Sequence, residues 1–152
     1  MKGPNGEDLP DAMLFACTFN AVRSPMAAAI MRHLYGTHVF VDSAGLKAGE
    51  LDPLAVEALA EIGIDIHAYK PKTFGQLDDS SFDLIVSLSP EAHHKALEFT
   101  RTMAVDVVYW PTPDATAAQG SRDAILDAYR DVRERLTARI KDLLGQGPRP
   151  SG

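Results

Sequence analysis

Thiols are almost missing from this sequence: Cys17 is its one cysteine among 152 residues. A single thiol excludes an internal disulfide and a cysteine-rich zinc site. Positive charge is also short, with 15 Lys and Arg against 21 Asp and Glu, a net charge of −6. A chain without a basic excess is not a general nucleic-acid binder. A small anionic ligand stays possible, because a local nest of backbone N–H groups can hold one. No apolar run is long enough to span a membrane. The N-terminal stretch 1–11 is polar, carries Pro and Gly, and lacks the apolar centre of a signal peptide. It reads as a loose tail, as does 145–152, around a single domain at 12–144. The expected compartment is the cytoplasm, with neither a membrane nor a nucleic acid as partner. Repeats, low-complexity segments and linkers are absent as well.

What is present is alternation. Met13 to Thr18 is apolar and predicts a buried strand. Pro25 to Tyr35 predicts a helix with Met26, Ile30 and Leu34 on one face. Val39 to Ser43 predicts a second strand. Asp52-Pro53 is a helix start, with Asp as cap and Pro at the first helical position. Val56, Leu59 and Ile62 are expected to face inward, and Gly63 to end that helix. Thr73 to Leu77 suggests a short helix, and Asp78-Asp79 a polar turn. Phe82 to Leu88 predicts the third strand, Ser89-Pro90 a further helix start, and Val105 to Trp110 the fourth strand. The last helix is expected from Ser121 to Leu144, with Ile125, Tyr129, Val132, Leu136, Ile140 and Leu143 as its core stripe. Strands alternating with helices give a parallel sheet covered on both faces. The expected fold class is α/β, a three-layer α/β/α sandwich on a four-stranded parallel sheet. Ligands of such sheets sit at the carboxyl ends of the strands.

The first strand runs into Cys17-Thr18-Phe19-Asn20-Ala21-Val22-Arg23-Ser24 and then a helix. Five residues between Cys and Arg can curl around one tetrahedral oxyanion. The backbone N–H groups of Thr18, Phe19, Asn20, Ala21, Val22, Arg23 and Ser24 can then point inward, helped by the helix N-terminus. Arg23 can give two parallel hydrogen bonds to such an anion. Cys17 sits at the floor of that cradle, whose positive potential favours the thiolate, the form that attacks phosphorus. Ser24 can donate to the sulfur. The plainer reading makes Cys17 a small core hydrophobe at a strand end. Its place, between strand, tight loop and helix, favours the nucleophile. Asp114, just after the fourth strand, can protonate a leaving oxygen, or it can merely cap a turn after Pro113. Asp106 lies at the opposite end of that strand. No metal and no cofactor is expected: His33, His38 and His67 lack ligand spacing, and His93 and His94 read as solvated surface. Trp110 reads as a packing residue, and Lys70 and Lys72 as surface or as attractors of anions.

Cys17 to Ser24, Asp42-Ser43-Ala44-Gly45, Asp52-Pro53 and the acidic loop at Asp114 together resemble the low-molecular-weight protein tyrosine phosphatases. They resemble also the bacterial arsenate reductases of the same fold. The likeness runs in order from Met13 to about Leu144, and its most specific part is the Cys17-to-Ser24 loop with Asn20 inside. It implies a flavodoxin-like, phosphotyrosine phosphatase I-like architecture. It also implies that Cys17 forms a phosphocysteine, that Arg23 binds the phosphate, and that Asp114 is the general acid and later activates water. Asn20 and Ser43 resemble the pair that braces the loop; Asn tolerates a left-handed bend, and Ser43 is otherwise an ordinary strand-end hydroxyl. Three departures stand out: Ala115 and Thr116 replace the usual Pro after the acid, the loop Leu46 to Leu51 is short and lacks an aromatic, and Val22 replaces a second cysteine. The first two weigh against phosphotyrosine, whose ring wants aromatic walls. The expected partners are a phosphorylated protein or small phosphomonoester, with inorganic phosphate or another oxyanion in the loop. An arsenate reductase using an external small thiol, a sugar-transport phosphocarrier and a non-catalytic phosphate-binding module are the competing readings.

Overall fold

The computed structural model of the protein describes residues 10–77 and 81–142. Strands β1 (Ala12–Cys17), β2 (Phe40–Gly45), β3 (Leu84–Ser87) and β4 (Asp106–Tyr109) form one parallel sheet in the order β2-β1-β3-β4. Between and after them run helices α1 (Arg23–Tyr35), α2 (Pro53–Ala60), α3 (Pro90–Phe99) and α4 (Arg122–Ile140). Every residue of β1 is buried, as befits a strand covered on both faces. Its side chains alternate accordingly. Met13, Phe15 and Cys17 join a core with α1, α2 and α4, while Ala12, Leu14 and Ala16 join a second core with α3. The result is the expected three-layer α/β/α sandwich. The chain leaves β1 towards β2 on one side and reaches β3 on the other, so the carboxyl ends of β1 and β3 frame the crevice typical of such sheets.

The helix starts come from caps. Asp52 accepts the Leu54 N–H at 2.9 Å and Ser89 the Ala92 N–H at 3.3 Å, each with Pro at the first helical position. After α2, Ile64 N–H bonds the Leu59 carbonyl and Gly63 N–H the Ala60 carbonyl, with Gly63 at φ +82°. This 6→1 and 5→2 pair is a Schellman closure, which needs a left-handed residue at that point. Asp11, assigned to a tail by the sequence, is tied into the sheet: its carbonyl accepts from Phe40, and its N–H donates to Asp83 at 2.9 Å. The strand boundaries move by a residue or two from those expected.

Several inward positions differ. Leu34 is exposed, and α1 instead buries the run Ser24 to Met31, where small alanines let the helix sit close to the sheet. Ile62 is exposed because α2 ends at Ala60 and the turn breaks its helical phase. In α4 the buried stripe is Leu126, Tyr129, Val132, Leu136 and Ile140, with Ile125 only half-buried. Leu143, Leu144 and the Asp78-Asp79 turn lie outside the described residues.

Candidate active site

Cys17 closes β1 and is buried. The loop that follows is shaped from outside by the segment between β2 and α2. Leu46 N–H donates to the Cys17 carbonyl at 3.3 Å, Lys47 to Thr18 at 3.0 Å, Gly49 to Phe19 at 2.9 Å and Asp52 to Ala21 at 3.1 Å. A peptide plane carries its C=O and the next N–H in opposite directions. Carbonyls fastened to this strap therefore turn the N–H groups of Thr18, Phe19, Asn20 and Val22 the other way. For Phe19, Asn20 and Val22 there is no protein acceptor among the described residues. Asn20 supplies the bend with φ +54°, a left-handed value that Asn tolerates better than most residues. Gly45 allows the strap to approach, since a Cβ there would lie 2.7 Å from the Asn20 nitrogen. Helix α1 begins at Arg23 without a side-chain cap or an acid in its first turn, so the positive end of its dipole is left facing the loop. N–H groups without protein acceptors and an uncapped helix start thus lie together in the loop that follows Cys17.

Around the sulfur, Ser24 Oγ lies 2.9 Å and the Ser24 N–H nitrogen 3.4 Å from Cys17 Sγ. Asn20 Nδ2 donates to Ser24 Oγ at 2.7 Å. Asn20, Ser24 and Ser43 are fully buried. Ser43 and Asn20 do not meet, however: the Tyr69 hydroxyl lies between them, 2.6 Å from each side-chain oxygen. Thr18 is half-buried, with Oγ1 3.1 Å from Ser89 Oγ and 3.3 Å from a Glu91 carboxylate oxygen, which ties the loop to the start of α3. Phe19 is exposed, Ala21 half-buried and Val22 buried.

Arg23 donates through Nη1 to the Thr112 carbonyl at 3.1 Å, joining the cradle to the loop after β4. Asp114 lies on that loop. Its carboxylate accepts from the Thr116 N–H at 3.0 Å and hydroxyl at 2.6 Å, capping the single turn Ala115–Ala117. Partial burial pushes its pKa up, but the Thr116 hydrogen bonds and the nearby charge of Arg23 outweigh it and hold the carboxyl below its ordinary value. The structure thus shows Asp114 capping a turn, with the charge of Arg23 near enough to act on its carboxylate.

Other residues fall elsewhere. Lys72 is bound in an ion pair with Asp42 at 2.6 Å. Trp110 is buried against Phe15. His93, expected on the solvated surface, is half-buried, 2.8 Å from Ser87 Oγ and stacked on Tyr109 with ring centroids 4.7 Å apart. Among the described residues no three His, Cys, Asp or Glu side chains come together as a metal site, and no helix is long and apolar enough to cross a membrane. Sequence reasoning missed Tyr69: it sits in an irregular stretch, 26 and 49 residues from its partners Ser43 and Asn20, where no period or motif marks it.

A parallel sheet with a buried cysteine at the carboxyl end of β1, followed by a tight loop and a helix that begins at Arg23, is the framework of a class of cysteine-based enzymes. This chain belongs to the low molecular weight phosphotyrosine protein phosphatase family, whose model matches residues 12–146. Its relatives carry two kinds of name. An arsenate reductase of Halalkalibacterium halodurans is 34% identical over 134 residues, covering 88% of this chain and 94% of the relative. A YwlE mutant from Bacillus subtilis superposes with a TM-score of 0.73 at 26% identity, covering 89% of this chain and 97% of the other. The low molecular weight protein tyrosine phosphatase from T. tengcongensis gives 0.72 at 26% identity, covering 87% and 96%.

Proposed function

We propose that the protein hydrolyses phosphomonoesters through a phosphocysteine. The phosphoryl group sits on the N–H groups of the Cys17-to-Ser24 loop, and Arg23 turns from the Thr112 carbonyl to two of its oxygens. Cys17 attacks phosphorus, the P–O bond to the leaving group breaks, and Asp114 gives that oxygen a proton. A water then attacks the phosphocysteine, Asp114 takes its proton back, and phosphate leaves with the thiolate restored. The substrate is a phosphorylated protein or a small phosphomonoester, and no metal or cofactor is needed. A nucleophilic free thiol belongs in a reducing compartment such as the cytoplasm. The observation that carries this reading is the single cysteine: the chain has one attacking thiol and no second one to attack its sulfur and complete a two-electron reduction.

The names of the curated relatives support a second reading more than this one. In it, arsenate occupies the cradle, and the Cys17 sulfur bonds to arsenic as one As–O bond breaks and that oxygen leaves as water. An external small thiol attacks the Cys17 sulfur, the As–S electron pair leaves with arsenic as arsenite, and a further thiol reduces the mixed disulfide. One set of assays separates the two. Para-nitrophenyl phosphate is given to the wild-type chain, Cys17→Ser and Arg23→Ala, with vanadate binding measured in parallel. Arsenate is given with NADPH and either the thioredoxin or the glutathione–glutaredoxin system. The hydrolase reading expects phosphate release that Cys17→Ser lowers by about 10³-fold or more while vanadate still binds, loss of both in Arg23→Ala, and inhibition by arsenate. Cys17-dependent NADPH consumption with no phosphate release would replace it with the reductase.

A further inference from the structure

The side-chain oxygen of Asn20 fixes the direction of every hydrogen bond behind the cysteine. The Lys72 backbone N–H donates to it at 2.9 Å, so oxygen and not the amide nitrogen faces residue 72. The Tyr69 hydroxyl, 2.6 Å from the same oxygen, must then be a donor. A phenol has one proton. Given to Asn20, it leaves Tyr69 to accept from the Ser43 hydroxyl, 2.6 Å away; the Ser43 carbonyl, at 3.3 Å, is too far to compete. On the other side, Asn20 Nδ2 donates to Ser24 Oγ, which frees the Ser24 proton for Cys17 Sγ. The donors run one way, from Ser43 through Tyr69, Asn20 and Ser24 to the sulfur.

We propose that Tyr69 is a positioning residue for Cys17: its hydroxyl locks the Asn20 amide, and through that amide aims the Ser24 proton at the sulfur. This rests on the reading of Cys17 as the nucleophile. Without the phenol, the Asn20 oxygen keeps the Lys72 N–H alone, the amide can turn, and Ser24 can donate to it instead of to sulfur. Tyr69 is itself held in place. Gly45 N–H bonds the Lys72 carbonyl at 2.9 Å, and Lys72 Nζ lies 5.5 Å from the Tyr69 ring centroid. Burial outweighs the hydrogen bond from Ser43 and keeps the phenol above its ordinary pKa, with the charge of Asp42 adding to the rise. The group stays a donor through the neutral range.

The test is Tyr69→Phe, which removes one oxygen, read by the rate of Cys17 alkylation with iodoacetamide against pH. The charges facing the cysteine loop (Arg23 on α1, Glu91 on α3 and Asp114 after β4) and those near Tyr69 (Asp42 on β2, Arg32 on α1, and Lys72) are the same in both proteins. The rate–pH profile of the variant is expected to move up by about one pH unit: alkylation about tenfold slower on the acid side of the profile, with the rate at high pH unchanged. Ser24→Ala should give a similar shift, and the double variant little beyond either, because both cut one chain of donors. An unchanged profile, or shifts that simply add, overturns the proposal. If Tyr69→Phe does not fold, Ser43→Ala replaces it: a smaller shift in the same direction is expected, and none overturns the proposal. Alkylation needs no substrate. Absent phosphate release with the expected shift would thus sink the hydrolase reading and leave the role of Tyr69 intact.

Discussion

At the scale of single residues, Asp114 meets two demands that conflict. In the proposed role of general acid it must hold a proton, yet the Thr116 bonds and Arg23 keep this carboxyl below its ordinary value against the rise that burial causes. In the free protein it is ionised at neutral pH. On the proposed hydrolase reading, a phosphate dianion in the loop supplies the opposing charge, draws Arg23 away and raises the carboxyl's proton affinity. The alkaline limb of kcat then reports loss of the acid's proton. Thr116→Ala deletes the 2.6 Å hydroxyl bond and leaves the backbone cap. Its Asp114 pKa should rise, so the alkaline limb of kcat for a poor leaving group should move to higher pH. An unmoved limb in a pH–rate series would show that the proton comes from elsewhere.

At the scale of elements, the strap from Leu46 to Asp52 does for the cradle what a neighbouring strand does for a sheet. Gly45 is its hinge. A methyl there would sit 2.7 Å from both the Asn20 nitrogen and the Lys47 carbonyl oxygen, backbone atoms that cannot step aside singly. Gly45→Ala should lower turnover by about a hundredfold, and vanadate affinity with it, while the far sheet edge at β4 stays intact. Wild-type vanadate affinity in that variant would show that the strap does not shape the cradle. The strands, the capped helix starts and the Cys17-to-Ser24 loop were legible in sequence because each has a local cause: apolar runs, Asp-Pro and Ser-Pro pairs, and a strand running straight into a tight loop. What was not legible depends on packing. A helical stripe read back from Tyr129 allows position 126 or 125 equally, three or four residues away, and only packing into the core with α1 and α2 chose Leu126. The alanines of α1 bury more than their size signals, and the strap's purpose lies in backbone bonds that no side-chain pattern encodes.

At the scale of the molecule, α2 and α4 are joined on the surface by Glu61, which bonds Arg130 at 2.6 Å and Arg133 at 2.8 Å. Hydrogen bonds first from Arg130 and then from Arg133 lower its pKa from 4.5 to about 2. A carboxylate with a depressed folded pKa contributes stability that is complete above its unfolded value and fades as pH falls through the folded one. Glu61→Gln should therefore be less stable than wild type at neutral pH, and the gap should close between pH 4.5 and about 2. Urea midpoints taken across that range check it, and a gap independent of pH would mean that packing and not charge is lost. The same view of the whole chain bears on the cradle itself. Cys17 to Ser24 spell the motif, but their carbonyls are held by residues 46–52, Asn20 by residues 69 and 72, Thr18 by residues 89 and 91, and Arg23 by residue 112. The eight residues are an address and not the machine: excised as a peptide, or grafted onto another strand and helix, they would carry the letters of the site without the partners that turn its amides inward.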